Sequence, residues 1–120
     1  MSTAVLIAQL AIALGIFNVW LLRFGKATSY RGGGAKNMKE EFAAYGLPPG
    51  AVYVIGGLKL LLAVALVVAI WVPALRQPAA IGMAVLMLGA ITMHVKVKDA
   101  PVKSLPALSM LALSVFVAVA

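Results

Sequence analysis

The 120-residue chain has no cysteine, only three acidic residues against ten Lys and Arg, and a single histidine. Without a thiol it cannot by itself run a disulfide relay, hold a thiolate zinc site or ligate an iron–sulfur cluster. One histidine also leaves bis-histidine haem ligation dependent on a second copy or another subunit. No flavin or nicotinamide fingerprint is present. The stretch RGGGAK, residues 31–36, lacks the strand and the Gly-Lys-Ser/Thr ending of a phosphate loop, which argues against nucleotide binding there. Charge is scarce altogether, at 11% of residues where soluble domains carry about 25%.

What fills the chain instead is apolar. Hydrophobic residues make up 64% of it, and the mean hydropathy is +1.09, so it reads as a membrane protein whose first partner is the lipid bilayer. The formal net charge of +7 invites a nucleic-acid reading. Yet the basic residues sit in short gaps between apolar runs rather than along a solvated face, so no nucleic-acid partner is expected. Four runs can be marked, at 3–24, 51–75, 78–95 and 101–120. A helix of about 20 apolar residues crosses roughly 30 Å of hydrocarbon, so these predict an all-α, integral membrane four-helix bundle, a single domain over 1–120. The opening MSTAV lacks the basic start of a cleaved signal, and the first run reads as a retained span. Arg23, Lys26, Arg31, Lys36 and Lys39 fall in the first loop, Lys96, Lys98 and Lys103 in the third, and Arg76 alone in the second. Eight against one predicts cytoplasmic first and third loops with both termini outside.

The first loop carries helix punctuation of its own. Asn37 is placed to cap, Glu40 follows three residues later as in a capping box, Glu41 adds charge to the first turn and Gly46 stops the segment. A short amphipathic helix over about 37–45 is predicted, with Met38, Phe42 and Tyr45 on one face, lying in the interface or over the bundle mouth. Gly32, Gly33 and Gly34 read as a flexible hinge. In lipid, helices approach through small residues: Ala4, Ala8, Ala11 and Gly15 form one such stripe, Ala79, Gly82, Leu86 and Gly89 a looser one, and Gly56 and Gly57 offer close approach on span two.

Polar residues inside the spans fall at one level. Asn18 lies about 9 Å from the end of the first run, and Lys59 about 12 Å into the second, at 1.5 Å of rise per residue. Thr92 and His94 close the third run, and Asp99 and Lys103 follow in the hairpin. These six residues form a candidate ligand-binding or polar layer. Simpler roles stand beside this one. Asp99 before Ala100-Pro101 suits an N-cap of span four with Lys103 as its ion-pair partner. His94 suits an interfacial residue, and Lys96, Lys98 and Lys103 suit headgroup anchors. Lys59 in mid-span needs a partner or a wet cavity, and is expected to face the bundle interior.

The segments LRFGKATSYRGG, KNMKEEFAAYGLPP, VIGGLKLLLAVAL and GMAVLMLGAITMHVKVKDAPVKSLPA resemble the DoxX family of small four-helix membrane proteins over nearly the whole chain. The most specific element is His94 followed by Asp99, Lys103 and Pro106-Ala107. In many relatives the charged position of span two resembles a glutamate where this chain has Lys59, so no role needing a carboxylate there is carried over. The resemblance implies a bacterial inner-membrane protein, an accessory subunit of a quinone-linked redox system without independent catalytic activity. It implies no cofactor held by the chain itself beyond a quinone, and other membrane subunits or further copies as partners. The alternative it leaves is an assembly chaperone or scaffold for other membrane proteins, as a eukaryotic branch is for ligand-gated channels; a minimal transporter with an anion-attracting lysine pocket ranks below both. No metal site and no catalytic residue is identified.

Overall fold

In the computed structural model, which describes residues 2–120, the described residues form five α-helices, the first and second separated by a long loop and the others joined by shorter connections. The Ser2 hydroxyl accepts the Val5 N–H at 3.2 Å and starts α1, Thr3–Phe17. A π-helical turn, Asn18–Leu22, continues it, marked by the Arg23 N–H reaching the Asn18 carbonyl. The loop then holds a 3₁₀ turn, Gly32–Gly34, and α2, Met38–Ala44. The spans α3, Ala51–Val68, α4, Arg76–Lys96, and α5, Leu105–Val119, follow, the last two each entered through a proline-headed 3₁₀ turn. Pro73, Pro101 and Pro106 suit these first turns because the N–H they lack has no intrahelical acceptor there.

Among the described residues four stretches are long and apolar enough to cross a membrane: Thr3–Leu22, Ala51–Val68, Pro73–Lys96 and Pro101–Val119. The second ends seven residues before the apolar run does. Val72, held at φ −123° and ψ 79° ahead of Pro73, has left helical geometry as residues before proline do. Trp71, 75% exposed, stays in the hairpin, as interfacial aromatics do. α1 packs on α3 and α5, and α4 closes the square against the same two. The long axis of 40 Å matches a bilayer with its headgroups, about 40–45 Å. Large apolar side chains such as Leu14, Leu61, Val85 and Leu108 point outward, as lipid-facing residues must.

The core is tight around Ile12, Leu66, Met83 and Val117. Gln9 is fully buried there, donating to the Leu66 carbonyl at 2.9 Å. The small-residue stripe on α1 is displaced from its expected position. Ala8 is buried but Ala4 is exposed, and the inward face is Val5, Ala8, Gln9, Ile12, Ala13 and Ile16, because the larger apolar residues fill the centre of the square. Gly56 does serve as a close approach, since a Cβ there would fall 2.5 Å from the Trp20 ring. Gly57 and Gly89 face open space.

Candidate functional site

Beneath loop one, the interior of the bundle opens into a cavity of about 910 Å³. Its walls come from all four spans and its roof from α2. The roof forms as the capping residues dictate: Asn37 Oδ1 accepts the Glu40 N–H at 2.8 Å, and Gly46 at φ +79° ends the helix. Met38, Phe42 and Tyr45 are all buried on the inward face. Phe42 meets Trp20 edge-on at 5.8 Å, and Tyr45 meets the His94 ring edge-on at 5.9 Å. The π turn carries Trp20 inward, and the Lys59 ammonium lies 5.3 Å from its ring centroid.

A network of charge holds the roof down. Glu41 Oε2 takes Arg31 Nη1 at 3.0 Å, while its Oε1 accepts the Gly32 N–H at 2.9 Å and the Tyr45 hydroxyl at 2.8 Å. Burial, then the charge and hydrogen bond of Glu41, push the Tyr45 hydroxyl far above its ordinary range and keep it a donor. The other Arg31 donors reach the carbonyls of Arg23, Phe24 and Lys26. A second knot lies alongside. Asp99 Oδ2 accepts from His94 Nδ1 at 2.7 Å, and Oδ1 accepts the Gly33 N–H at 3.0 Å. Lys103 Nζ stands 4.0 Å from Oδ1 and donates to the Arg31 carbonyl at 2.7 Å. Burial raises the Asp99 carboxyl, but the hydrogen bonds from His94 and Gly33, with the positive groups nearby, outweigh it and hold the carboxyl below its ordinary value. Lys98 turns the chain toward this knot at φ +59°, a conformation that costs a non-glycine residue about 1–2 kcal/mol.

Of the six residues marked from sequence, Asn18, Lys59, His94 and Lys103 line the one cavity. Asp99 stands behind His94 and fixes its ring. Thr92 stands apart, exposed, its hydroxyl turned back to the Leu88 carbonyl. Three simpler expectations give way. Asp99 does not cap the last span, where Ala100 occupies the cap position without a side-chain bond, because its carboxylate is taken by His94 and Gly33. Lys96 and Lys103 spend their ammonium groups on the carbonyls of Tyr45 and Arg31 instead of standing free as anchors. The glycine run is a fitted turn: a Cβ on Gly32 would fall 2.5 Å from the Tyr45 hydroxyl and 2.9 Å from Asp99 Oδ2.

Sequence reasoning missed Arg31, Glu41 and Trp20. A signal existed for Glu41, which lies three residues after Met38 and four before Tyr45 and therefore shares their face. For Trp20 nothing in the residue pattern announces the π turn. Among the described residues no cluster of metal-ligating side chains occurs. A search of curated proteins and a search of solved structures each give no match. The model of the DoxX-like family matches residues 12–117, and the chain belongs to that family.

Proposed function

We propose that this protein is an accessory membrane subunit of a quinone-linked redox system. In this reading it sits in a bacterial inner membrane with loop one on the cytoplasmic side, the orientation favoured by the eight-to-one bias of basic residues. The cavity supports the reading. Its volume lies in the range of ligand pockets, roughly 300–1,000 Å³, and its lining is mostly apolar with a few convergent polar groups.

A quinone fits these residues. Trp20 offers an aromatic face, Lys59 a donor with no acceptor among the described residues, and His94 the ring nitrogen left free by the Asp99 bond. Met87 and Met110 suit an isoprenoid tail. A quinone, when bound, supplies the two-electron carrier chemistry that no side chain here has. The chain's own work is to seat the ring, to aim the Lys59 donor at a carbonyl oxygen, to keep an imidazole capable of proton exchange beside it, and to exclude water beneath Phe42 and Tyr45. Electron transfer in and out falls to partner subunits.

A second reading, an assembly or scaffold protein, draws on the last span, of which only 11% is buried within the chain, leaving a long face for another membrane helix. Purification in mild detergent followed by mass spectrometry of lipid and protein separates the two. Copurified quinone, lost on Lys59→Met or His94→Gln while helicity is kept, is the expected result. A stoichiometric membrane partner with no quinone would overturn the redox reading in favour of the second.

A further inference from the structure

Among the described residues Lys59 makes no ion pair or hydrogen bond, and the one acid whose charge reaches it, Glu41, is already bound to Arg31. Lys59 is 8% exposed, and each of the three acidic residues is committed elsewhere. Glu40 lies at the surface, bound by the Asn37 amide and the Lys36 N–H. Glu41 is taken by Arg31, Gly32 and Tyr45. Asp99 is taken by His94 and Gly33, with Lys103 beside it. What remains for the Lys59 ammonium is the face of Trp20, a cation–π contact that lowers the cost of burial without neutralising the charge. A lone ammonium at this depth is costly unless water in the cavity solvates it or something supplies an anion.

The rest of the cavity points the same way. Arg23, Arg31, Lys59 and Lys103 line it against a single carboxylate, Glu41, which the Arg31 guanidinium already neutralises. The field inside is therefore positive, and it is focused by apolar walls.

We infer that the cavity selects an amphiphile whose head is a single ionised oxygen acid on an apolar body, with Lys59 as its counter-ion and Trp20 beneath the pair. This rests on the cavity being the ligand site and adds the charge of the head. Among quinones it favours one with an ionised ring hydroxyl. The same head chemistry comes from a free long-chain carboxylate or a lipid phosphate.

The test uses the full chain in phosphatidylcholine nanodiscs, at a pH where oleate is ionised. A Trp71→Phe background makes fluorescence report Trp20 alone, since the chain has two tryptophans. Oleate is titrated against oleyl alcohol, and a short-tailed benzoquinone against its ring-hydroxylated acid. Each acid is expected to bind about tenfold more tightly than its neutral twin, which corresponds to ~1.4 kcal/mol. The preference should vanish in Lys59→Met and Lys59→Gln and survive in Lys59→Arg, which also guards against a misfolded single variant. Displacement of oleate by phosphatidic acid assigns the head to a bilayer lipid, and no displacement assigns it to a free acid; both support the inference. Equal affinity for acid and alcohol, or a preference that survives Lys59→Met, overturns it. Should the quinones bind without regard to charge, the redox proposal stands and this inference fails. Should oleate bind selectively and neither quinone bind, the reverse holds.

Discussion

Replacing Glu41 by Gln removes one charge and leaves a side chain of nearly the same shape, so its consequence follows from the bonds that Glu41 makes. All three of its partners are donors: Arg31 Nη1, the Gly32 N–H and the Tyr45 hydroxyl. An amide offers one oxygen. With that oxygen kept on Gly32 and Tyr45, the NH₂ group faces Arg31 Nη1 across 3.0 Å, donor against donor. Flipped, it faces the Gly32 N–H instead. Breaking a buried ion pair from one side costs about 3–5 kcal/mol. The low end applies here, because Arg31 keeps the carbonyls of Arg23, Phe24 and Lys26. About 3 kcal/mol corresponds to an opening constant raised on the order of a hundredfold. Hydrogen exchange in detergent micelles reads this directly: amides of Met38–Ala44 should exchange about a hundredfold faster, with Ala51–Val68 unchanged. Glu40→Gln, at an exposed site where an ion pair or hydrogen bond adds at most about 1 kcal/mol, is the control. If Glu41→Gln leaves the exchange of α2 within about threefold of the parent, or if the control matches it, then the carboxylate does not hold the roof and the reasoning fails.

Gly32→Ala should lower the melting temperature and expose Tyr45 to quenchers, since the new methyl collides with Tyr45 and Asp99 at an overpacking cost of about 1–3 kcal/mol. Gly57→Ala, with open space around it, should instead be neutral or stabilising by up to about 1 kcal/mol. The Asp99 knot should also depend on pH. Its carboxyl is held below the ordinary value, so its stabilisation is complete above about pH 4 and is lost as the pH falls from there through the lower folded value. Exchange at Gly33 should therefore accelerate below about pH 4 in the parent and show no such step in Asp99→Asn. For topology, the absence of cysteine makes any introduced thiol the sole one. An impermeant maleimide added to intact cells should label Ala74→Cys and spare Lys36→Cys, and the opposite pattern would reverse the orientation.

Span number and helical class were legible because burial in lipid demands about 20 consecutive apolar residues, a signal carried by composition alone. The loop-one helix was legible because Asn37, Glu40 and Gly46 do their capping through local bonds that sequence spacing specifies. Span ends were not. Apolar residues such as Trp71 and Leu75 are as much at home in the interface as in the core, so the 51–75 run ran past the turn that Pro73 imposes. The rotation of α1 was also hidden. Its face is set by which side chains fill the square between α3, α4 and α5, and the π turn then shifts the phase for Trp20.

At the site, depth along each span placed Asn18, Lys59 and His94 at one level, and all three line the cavity. Depth carries no information on azimuth, and Thr92, at the same level, faces outward. The partners of the charged residues were the least legible of all. Asp99 had a sound local use as a cap, and it forgoes that use because two donors brought from elsewhere, the His94 ring and the Gly33 N–H, outbid the last-span amides. Glu41 binds Arg31 across a glycine turn that the residue pattern marks only as flexible. Backbone N–H groups of Gly32 and Gly33 complete both carboxylates, and no side-chain pattern records an N–H. Acids are scarce in the sequence; that Lys59 lacks an ion-pair partner follows only once Glu41 is seen held by Arg31 and Gly32, and Asp99 by His94 and Gly33, since a single uncommitted carboxylate within reach of the cavity would have given Lys59 a partner and left an anionic guest without one.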